Sequence, residues 1–489
     1  MSEFELKLQV PADRAGAVET AVRRGKVKET RLRARYFDTP DEALARAALV
    51  LRLRQEGDAW VQAAKGPGGT GFERLEHEVA MDAGGEDRPP RPELHEGTPV
   101  GKALRKALAR AGGELQCAFE TDVTRLARCV DAGSAAVEIA FDRGRLLAGG
   151  AERPVLEIEF ELKQGSPAAA AELAQRWCEK HGLWLDPLSK SQAARRLAHG
   201  EEPPPAVQAA PVQGGDTPKA LVAAILDSAL AQVLGNAREL AAGSGGDAHI
   251  HQLRVGLRRL RTALRERDAL GDTQALDAGV EPALKDLFSV LGAHRDRSTL
   301  LPALQEALAA AGCPAPRWTP ALPDVAAAVR AVAFQAALLQ LVAHVQELRG
   351  AAAQEHGGLK AARKAVDARL DKLHRRVTRG GRHFEALPQE ERHALRKRLK
   401  RLRYLGELAA PLYDAGEVDD YVRALKTLQD ALGHYQDAVA GAALFRERAA
   451  EEPAAWFAVG WLAAREEALA VECEEACRKT ARKARPFWG

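Results

Sequence analysis

Glu3, Glu5 and Lys7 fall on one face of the segment FELKL if it is extended, with Phe4, Leu6 and Leu8 on the other, because successive side chains of a strand point to opposite faces. The pattern recurs. Arg52 and Arg54 oppose Leu51 and Leu53; Arg74, Glu76 and Glu78 share a face; Glu138 and Asp142 continue it in AVEIAFD. It is fullest in LEIEFELK, where Glu157, Glu159, Glu161 and Lys163 oppose Leu156, Ile158, Phe160 and Leu162. The charges sort by type within a strand, and like charges two residues apart repel, so something must compensate them. Divalent cations can neutralise the carboxylates, and a polyanion the arginines. Carboxylates with Arg and Lys on one enclosed surface are what phosphoryl transfer requires: oxygen ligands for a metal, and guanidinium and ammonium groups for the phosphates. A GxxxxGK[ST] loop is absent from the sequence, which disfavours a P-loop NTPase.

The elements that must carry these residues occupy the first 200 positions. FELKL, ALVLRLRQ, AWVQAAK, FERLEHEVAM, AVEIAFD and VLEIEFELK all alternate with period two and are parted by Gly-bearing turns. Helical stretches interrupt them near 12–24, 99–111 and 167–181. This predicts an α+β domain over 1–200 whose antiparallel strands close into a barrel. The Pro- and Gly-rich stretch 201–216 cannot hold regular structure and reads as a linker. From 217 to 489 the strands vanish, and Ala/Leu/Arg-rich segments with 3.6-residue periodicity predict an all-α bundle.

The bundle repeats itself. HQLRVGLRRLRTALR (251–265) aligns with HALRKRLKRLRYLGE (393–407), and LGAHRD (291–296) with LGHYQD (432–437), at nearly the same offset. This divides the domain into two copies, about 217–350 and 357–485. Each repeat helix buries leucines and shows a basic stripe: His251, Arg254, Arg258, Arg261 and Arg265 in the first, His393, Arg396, Lys400 and Arg403 in the second. Residues 371–404 hold 12 Lys and Arg against 4 Asp and Glu, a local +8 in a chain whose formal charge is only +3. A solvated helix face is ordinarily laced with i,i+4 acid–base pairs, and these stripes mostly lack them, which points to a polyanion partner.

The N-terminal Glu3-x-Glu5-x-Lys7 resembles the ExExK signature of CYTH domains, the triphosphate tunnel metalloenzymes, and the resemblance continues through residues 33–55, Lys65, Arg74/Glu76/Glu78, Arg125, Asp142, LEIEFELK and LSKSQ (188–192). It implies a closed eight-stranded antiparallel barrel with flanking helices, whose charged interior is a tunnel for a triphosphate and a divalent metal, Mg²⁺ or Mn²⁺. Carried over by position, Glu3, Glu5, Asp142, Glu157 and Glu159 bind metal, with Glu161 beside them. Arg52, Arg54, Lys65, Arg125, Lys163 and Lys190 bind phosphate. Lys7 lies near the scissile phosphate or its water, so Lys7, Glu5, Arg52 and Arg54 form the catalytic set. The segment after Lys190 reads SQAARR, a departure that leaves the role of the C-terminal plug open. The duplicated helical motifs resemble the CHAD domain, and imply polyphosphate binding by His251, Arg254, Arg258, His393, Arg396, Lys397, Lys400 and Arg403, with His374 and Arg375 as secondary candidates.

These readings predict metal-dependent hydrolysis of inorganic tripolyphosphate to pyrophosphate and phosphate, with long-chain polyphosphate as a second ligand. The alternatives are a polyphosphate-binding or targeting protein with an inactive barrel, and a barrel acting on thiamine triphosphate or ATP. A nucleic-acid binder is disfavoured, since Tyr404 is essentially the one aromatic beside the stripes and base stacking needs more. The N-terminus has no signal-peptide core, and the six dispersed cysteines read as free thiols, so the expected compartment is the cytosol; the resemblance to the polyphosphate-binding family adds an expected association with polyphosphate-containing granules. No run of about 18 uninterrupted apolar residues exists; the nearest approach, 328–348, is broken by Arg330, Gln335, Gln340 and His344.

Overall fold

The alternating segments do become strands: β1 (Ser2–Gln9), β2 (Lys28–Asp38), β3 (Val50–Glu56), β4 (Ala59–Pro67), β5 (Glu73–Met81), β6 (Gln116–Ala132), β7 (Ala135–Ala148), β8 (Ala151–Gln164) and the two-residue β9 (Trp184–Leu185). The computed structural model describes residues 2–67, 73–81, 89–133, 135–200, 204–313 and 317–489; the side chains of Ser2, Glu3, Glu73 and Arg74 lie outside the described residues. The strands form one antiparallel sheet in the order β5-β4-β3-β2-β6-β7-β8-β1-β9. Its ends meet where β1 also pairs with β5, from Ser2 opposite Leu75 to Phe4 opposite Glu73. That junction is three residue pairs long and a ninth strand hangs on β1, so the barrel is approximate rather than the fully closed eight-stranded one expected. Between β7 and β8 the chain reverses in two residues, Gly149 and Gly150, both at positive φ (59° and 78°), the backbone that a tight hairpin requires and glycine adopts without strain.

Helices α1 (Ala15–Val22), α2 (Ala43–Arg46), α3 (Pro99–Leu108), α4 (Pro167–His181) and α5 (Lys190–His199) accompany the strands. α3 covers the outer face of β3 and β4, where Leu49, Leu51, Ala64, Val100 and Leu104 are buried together. α5 has a different task. Its Ala194 is buried with Leu32, Ala34, Tyr36, Phe119, Val123, Leu146 and Val155, which occupy inward positions of β2, β6, β7 and β8. The helix therefore plugs one end of the barrel with apolar packing, which settles what the segment after Lys190 does.

Beyond residue 217 the chain is helical: α6 (Pro218–Ala242), α7 (Asp247–Glu266), α8 (Val280–Arg295), α9 (Leu301–Ala310), α10 (Val325–Arg330), α11 (Val332–Ala352), α12 (Leu359–Gly380), α13 (Gln389–Ala409), α14 (Ala415–Ala449) and α15 (Ala455–Lys483). On α13, Leu395, Leu399, Leu402 and Leu405 are buried, as the 3.6-residue spacing requires. Two packed units result. One comprises Met1–Gln208 with Ala231–Leu253 and Val329–Glu347; the other comprises Ala209–Leu230, Arg254–Ala328 and Leu348–Gly489. α6 is long and apolar enough by composition to cross a membrane, but 67% of its most apolar stretch is buried in the protein, and Gln232, Asn236, Arg238 and Glu239 are buried polar residues on it. All six cysteines are free.

Candidate functional site

The strand registers bring the charged positions together before any side chain is considered. Glu5 and Lys7 of β1 stand opposite Glu161 and Glu159 of β8, Asp142 of β7 opposite Glu157, Arg125 of β6 opposite Asp142, and Lys65 of β4 opposite Glu76 of β5. Side chains of directly opposed residues share a face of the sheet, and here that face is the inside. They line a cavity of about 460 Å³, together with Arg52, Arg54, Glu78, Glu138, Lys163 and Lys190.

The cavity has two charged walls. On β7 and β8, oxygen atoms of Asp142, Glu157 and Glu159 lie within 4.8 Å of one another. Arg125 bonds to Asp142 at 2.7 Å and also to Glu159. Lys190, the first residue of α5, places its ammonium 3.0 Å from Asp142, 3.1 Å from Glu159 and against Glu157. Lys7 reaches Glu157 at 3.2 Å. Burial opposes the charge of Glu159, but Arg125 and Lys190 outweigh it and hold the carboxyl well below its usual range. The same acids keep Lys190 protonated far above the ordinary lysine range despite its burial. The facing wall, on β3 to β5, is basic. Arg52 bridges Glu76 and Glu78 (3.4 and 3.1 Å), Arg54 reaches Glu78 at 3.3 Å, and Lys65 reaches Glu76 at 2.6 Å. Burial would raise Glu76, yet Lys65 and Arg52 bring it down to about 2. Burial and the neighbouring Arg52 lower Lys65.

Of the residues singled out from the sequence, Glu5, Lys7, Arg52, Arg54, Lys65, Arg125, Asp142, Glu157, Glu159, Glu161, Lys163 and Lys190 all line this one cavity. Lys163 is the most peripheral: its side chain is 41% exposed and pairs with Glu161. Glu3 lies on β1, with its side chain outside the described residues. Tyr36 was not foreseen. It is buried in the cavity wall and stacks on Phe119, ring centroids 4.1 Å apart. Burial alone would raise its phenol, but Arg52, Lys190 and Lys65 bring it below its ordinary value. The signal was present in β2, where alternation turns Arg31, Arg33 and Arg35 away from Leu32, Ala34 and Tyr36. On this strand the charges face out and the apolar side faces in.

The basic helices form a second cluster. On α7, Arg254 and Arg258 stack over the Phe288 ring at 4.9 and 5.2 Å. Arg396 and Lys400 of α13 are half-buried. Among the described residues none of these four cations has a carboxylate at ion-pair distance, and Arg254 Nη1 and Arg396 Nε are buried without a hydrogen-bond partner. Burial, then Arg258, Arg396, Arg254 and Arg403, lowers Lys400 to about 6. His251, His393 and Lys397 are exposed on the same two helices, and His393 Nδ1 lies 2.9 Å from Gln436 Oε1. Other members of the stripes are neutralised: Arg261 and Arg265 share Glu281 of α8 (2.6 and 2.9 Å), and Arg403 pairs with Glu407 one turn along its own helix. Arg295 of the first LGAHRD motif bonds to Asp437 of the second at 2.9 and 3.0 Å, so the arginine that breaks the repeat ties the two copies together. His374 bonds to Tyr421 Oη at 2.8 Å, and Arg375 pairs with Asp371.

Residues 1–194 match the CYTH domain family and residues 224–446 the CHAD domain family. The inorganic triphosphatase of Haemophilus influenzae is 30% identical over 162 residues, covering 32% of this chain. The match spans only 43% of that relative's length. An uncharacterized protein of Mycobacterium tuberculosis is 26% identical over 500 residues, covering 92% of this chain and 88% of its own. The crystal structure of the CHAD domain from the plant Ricinus communis aligns with a TM-score of 0.41 and 25% identity, over 57% of this chain and 96% of that one.

Proposed function

The chain belongs to the proteins that join a CYTH domain to a CHAD domain, and from that premise we propose that its barrel hydrolyses inorganic tripolyphosphate with a divalent metal, while its basic helices bind inorganic polyphosphate. The observation that carries the first half is the pairing of walls in one cavity: three clustered carboxylates on β7 and β8, and Arg52, Arg54 and Lys65 on β3 and β4 across from them.

The carboxylates fit a hard cation. Asp142, Glu157 and Glu159 offer oxygen ligands alone, the set that Mg²⁺ or Mn²⁺ takes. Glu5 of β1, which lines the same cavity, would extend the acid wall. A bound cation supplies neutralisation of phosphate oxygens and a polarised water. The rest is done by the chain itself. Arg52, Arg54 and Lys65 hold the phosphates, with their geometry set by the ion pairs to Glu76 and Glu78. Arg125 and Lys190 adjust the charge of the acid wall. Lys7, anchored between Glu157 and the Leu188 carbonyl, orients the attacking water or the scissile phosphate. Plugging by α5 shuts bulk water out of that end, which strengthens each of these interactions.

A panel of tripolyphosphate, long polyphosphate, ATP and thiamine triphosphate, each with Mg²⁺, Mn²⁺ or EDTA, tests the reading. Phosphate release is expected to be fastest from tripolyphosphate and to vanish with EDTA. No release with any metal would make the barrel an inactive binding module, and preference for ATP or thiamine triphosphate would reassign the substrate.

For the helices, the lowered Lys400 gives a signed expectation. A lysine at about 6 in the folded protein, against an ordinary 10.5, is largely neutral at pH 7.5. The free protein therefore gains stability as pH rises between those values, because only the unfolded chain then holds the proton. A polyanion restores the charge, so polyphosphate binding takes up a proton and tightens as pH falls from about 8 towards 6. Calorimetry in buffers of differing ionisation enthalpy should find close to one proton taken up at pH 7.5 in the wild type and almost none in Lys400→Met. Equal uptake in both would remove Lys400 from the binding surface.

A further inference from the structure

The segment Trp184–Lys190 leads into the plug helix and is held from several sides by residues far away in sequence. The Trp184 ring lies under the Arg330 guanidinium at 4.4 Å. Leu185 donates its N–H to Gln335 Oε1 at 2.8 Å. Asp186 donates its N–H to the Lys7 carbonyl at 2.9 Å, and its Oδ1 accepts from the Leu188 N–H at 2.9 Å and from Arg238 Nε at 3.2 Å. The Leu188 carbonyl accepts from the Lys7 ammonium. A capping box between Ser189 and Gln192 then starts α5, and its first residue is Lys190. Further along the helix, Arg196 bonds to Glu239, which also accepts from Arg238 Nη1 at 2.6 Å and from Ser244 Oγ at 2.6 Å.

We infer that Arg238, with Glu239 beside it, is a positioning residue for the cavity: from the second half of α6 it fixes the Asp186–Lys190 segment and, through that segment, the ammonium groups of Lys7 and Lys190. Arg238 touches neither ammonium itself. It holds the carboxylate that folds the turn, and the turn supplies Lys7 with its carbonyl acceptor and sets where Lys190 starts. Arg238, Asp186 and Glu239 are 6%, 4% and 2% exposed. A buried network whose members are all hydrogen-bonded admits few alternative arrangements, which is the property a positioning device needs. A second, small cavity of about 30 Å³ is lined by Arg238, Asp186, Leu188, Lys7, Glu157 and Lys190 together. Residue 238 falls within the stretch matched by the CHAD family, so a residue of the helical part of the sequence helps to build the charged barrel cavity.

The catalytic readout rests on the proposed triphosphatase reading; the structural readout does not. In the full-length chain, Arg238→Gln is expected to lower kcat for tripolyphosphate about tenfold, with KM changed less than threefold, and Arg238→Lys to recover most of the loss. Asp186→Asn should give the same defect, and the double variant should be no worse than either single one, since both act through one segment. Hydrogen exchange at residues 186–192 should quicken at least tenfold in Arg238→Gln, while β2 and β3 keep wild-type protection. Should Arg238→Gln fail to fold, Asp186→Asn carries the same expectations. Wild-type kcat with unchanged exchange at 186–192, or additive losses in the double variant, would overturn the inference. If the wild type releases no phosphate from any substrate, the triphosphatase reading falls, and the exchange measurement still decides whether Arg238 fixes this segment.

Discussion

Glu159→Gln is expected to lower tripolyphosphate turnover by about a hundredfold or more, with the fold retained. Glu159 lies midway along β8 and points into the cavity, its side chain 12% exposed, against both Arg125 and Lys190. Asp142, Glu157 and Glu159 face three cations, Arg125, Lys190 and Lys7. Removing one carboxylate leaves an excess of positive charge where a divalent cation must enter, and removes one of its oxygen ligands. The amide is isosteric, so packing is kept while the charge is lost. Phosphate release measured across a Mg²⁺ or Mn²⁺ titration should show a lower maximum and a midpoint shifted to higher metal. Wild-type turnover at wild-type metal dependence would remove Glu159 from the site.

The second large effect concerns the helices. Arg254→Ala combined with Arg396→Ala is expected to weaken long-chain polyphosphate binding about a hundredfold and to reduce the slope of log K against log salt by about two. Burial, with Arg258 next, lowers each guanidinium to about 10, and each keeps a buried nitrogen with no hydrogen-bond partner. A polyanion supplies what the protein leaves out, namely opposite charge and acceptor oxygens. The sign of the stability change separates binding from structure. Removing two mutually repelling, half-buried cations should leave the free protein as stable as the wild type or more so. Loss of affinity accompanied by loss of stability would count against a binding role, as would unchanged affinity.

Much of the barrel site was legible because a strand has a period of two. Once FELKL and LEIEFELK are extended, Glu5 must share a face with Lys7, and Glu157 with Glu159; the pairing of β1 with β8 then puts both sets on one side. The helical stripes were legible for the parallel reason at a period of 3.6. The failures have two origins. Nothing in the local pattern told that Arg261 and Arg265 meet Glu281 from another helix, or that Arg295 is taken by Asp437 from the other repeat. Tyr36 was missed because its strand inverts the rule, with basic residues outside and apolar ones within.

The sequence by itself determined which residues face one another along each element, since backbone geometry turns spacing into sides: the sorted acids and bases, the leucine stripes and the duplicated helix can all be read in one dimension. Only the tertiary structure decided which sides enclose space and which cations keep their charge unanswered. Ion pairing and desolvation depend on distances between segments as far apart in sequence as Lys7, Lys190 and Arg238, and those distances exist only once the chain has packed.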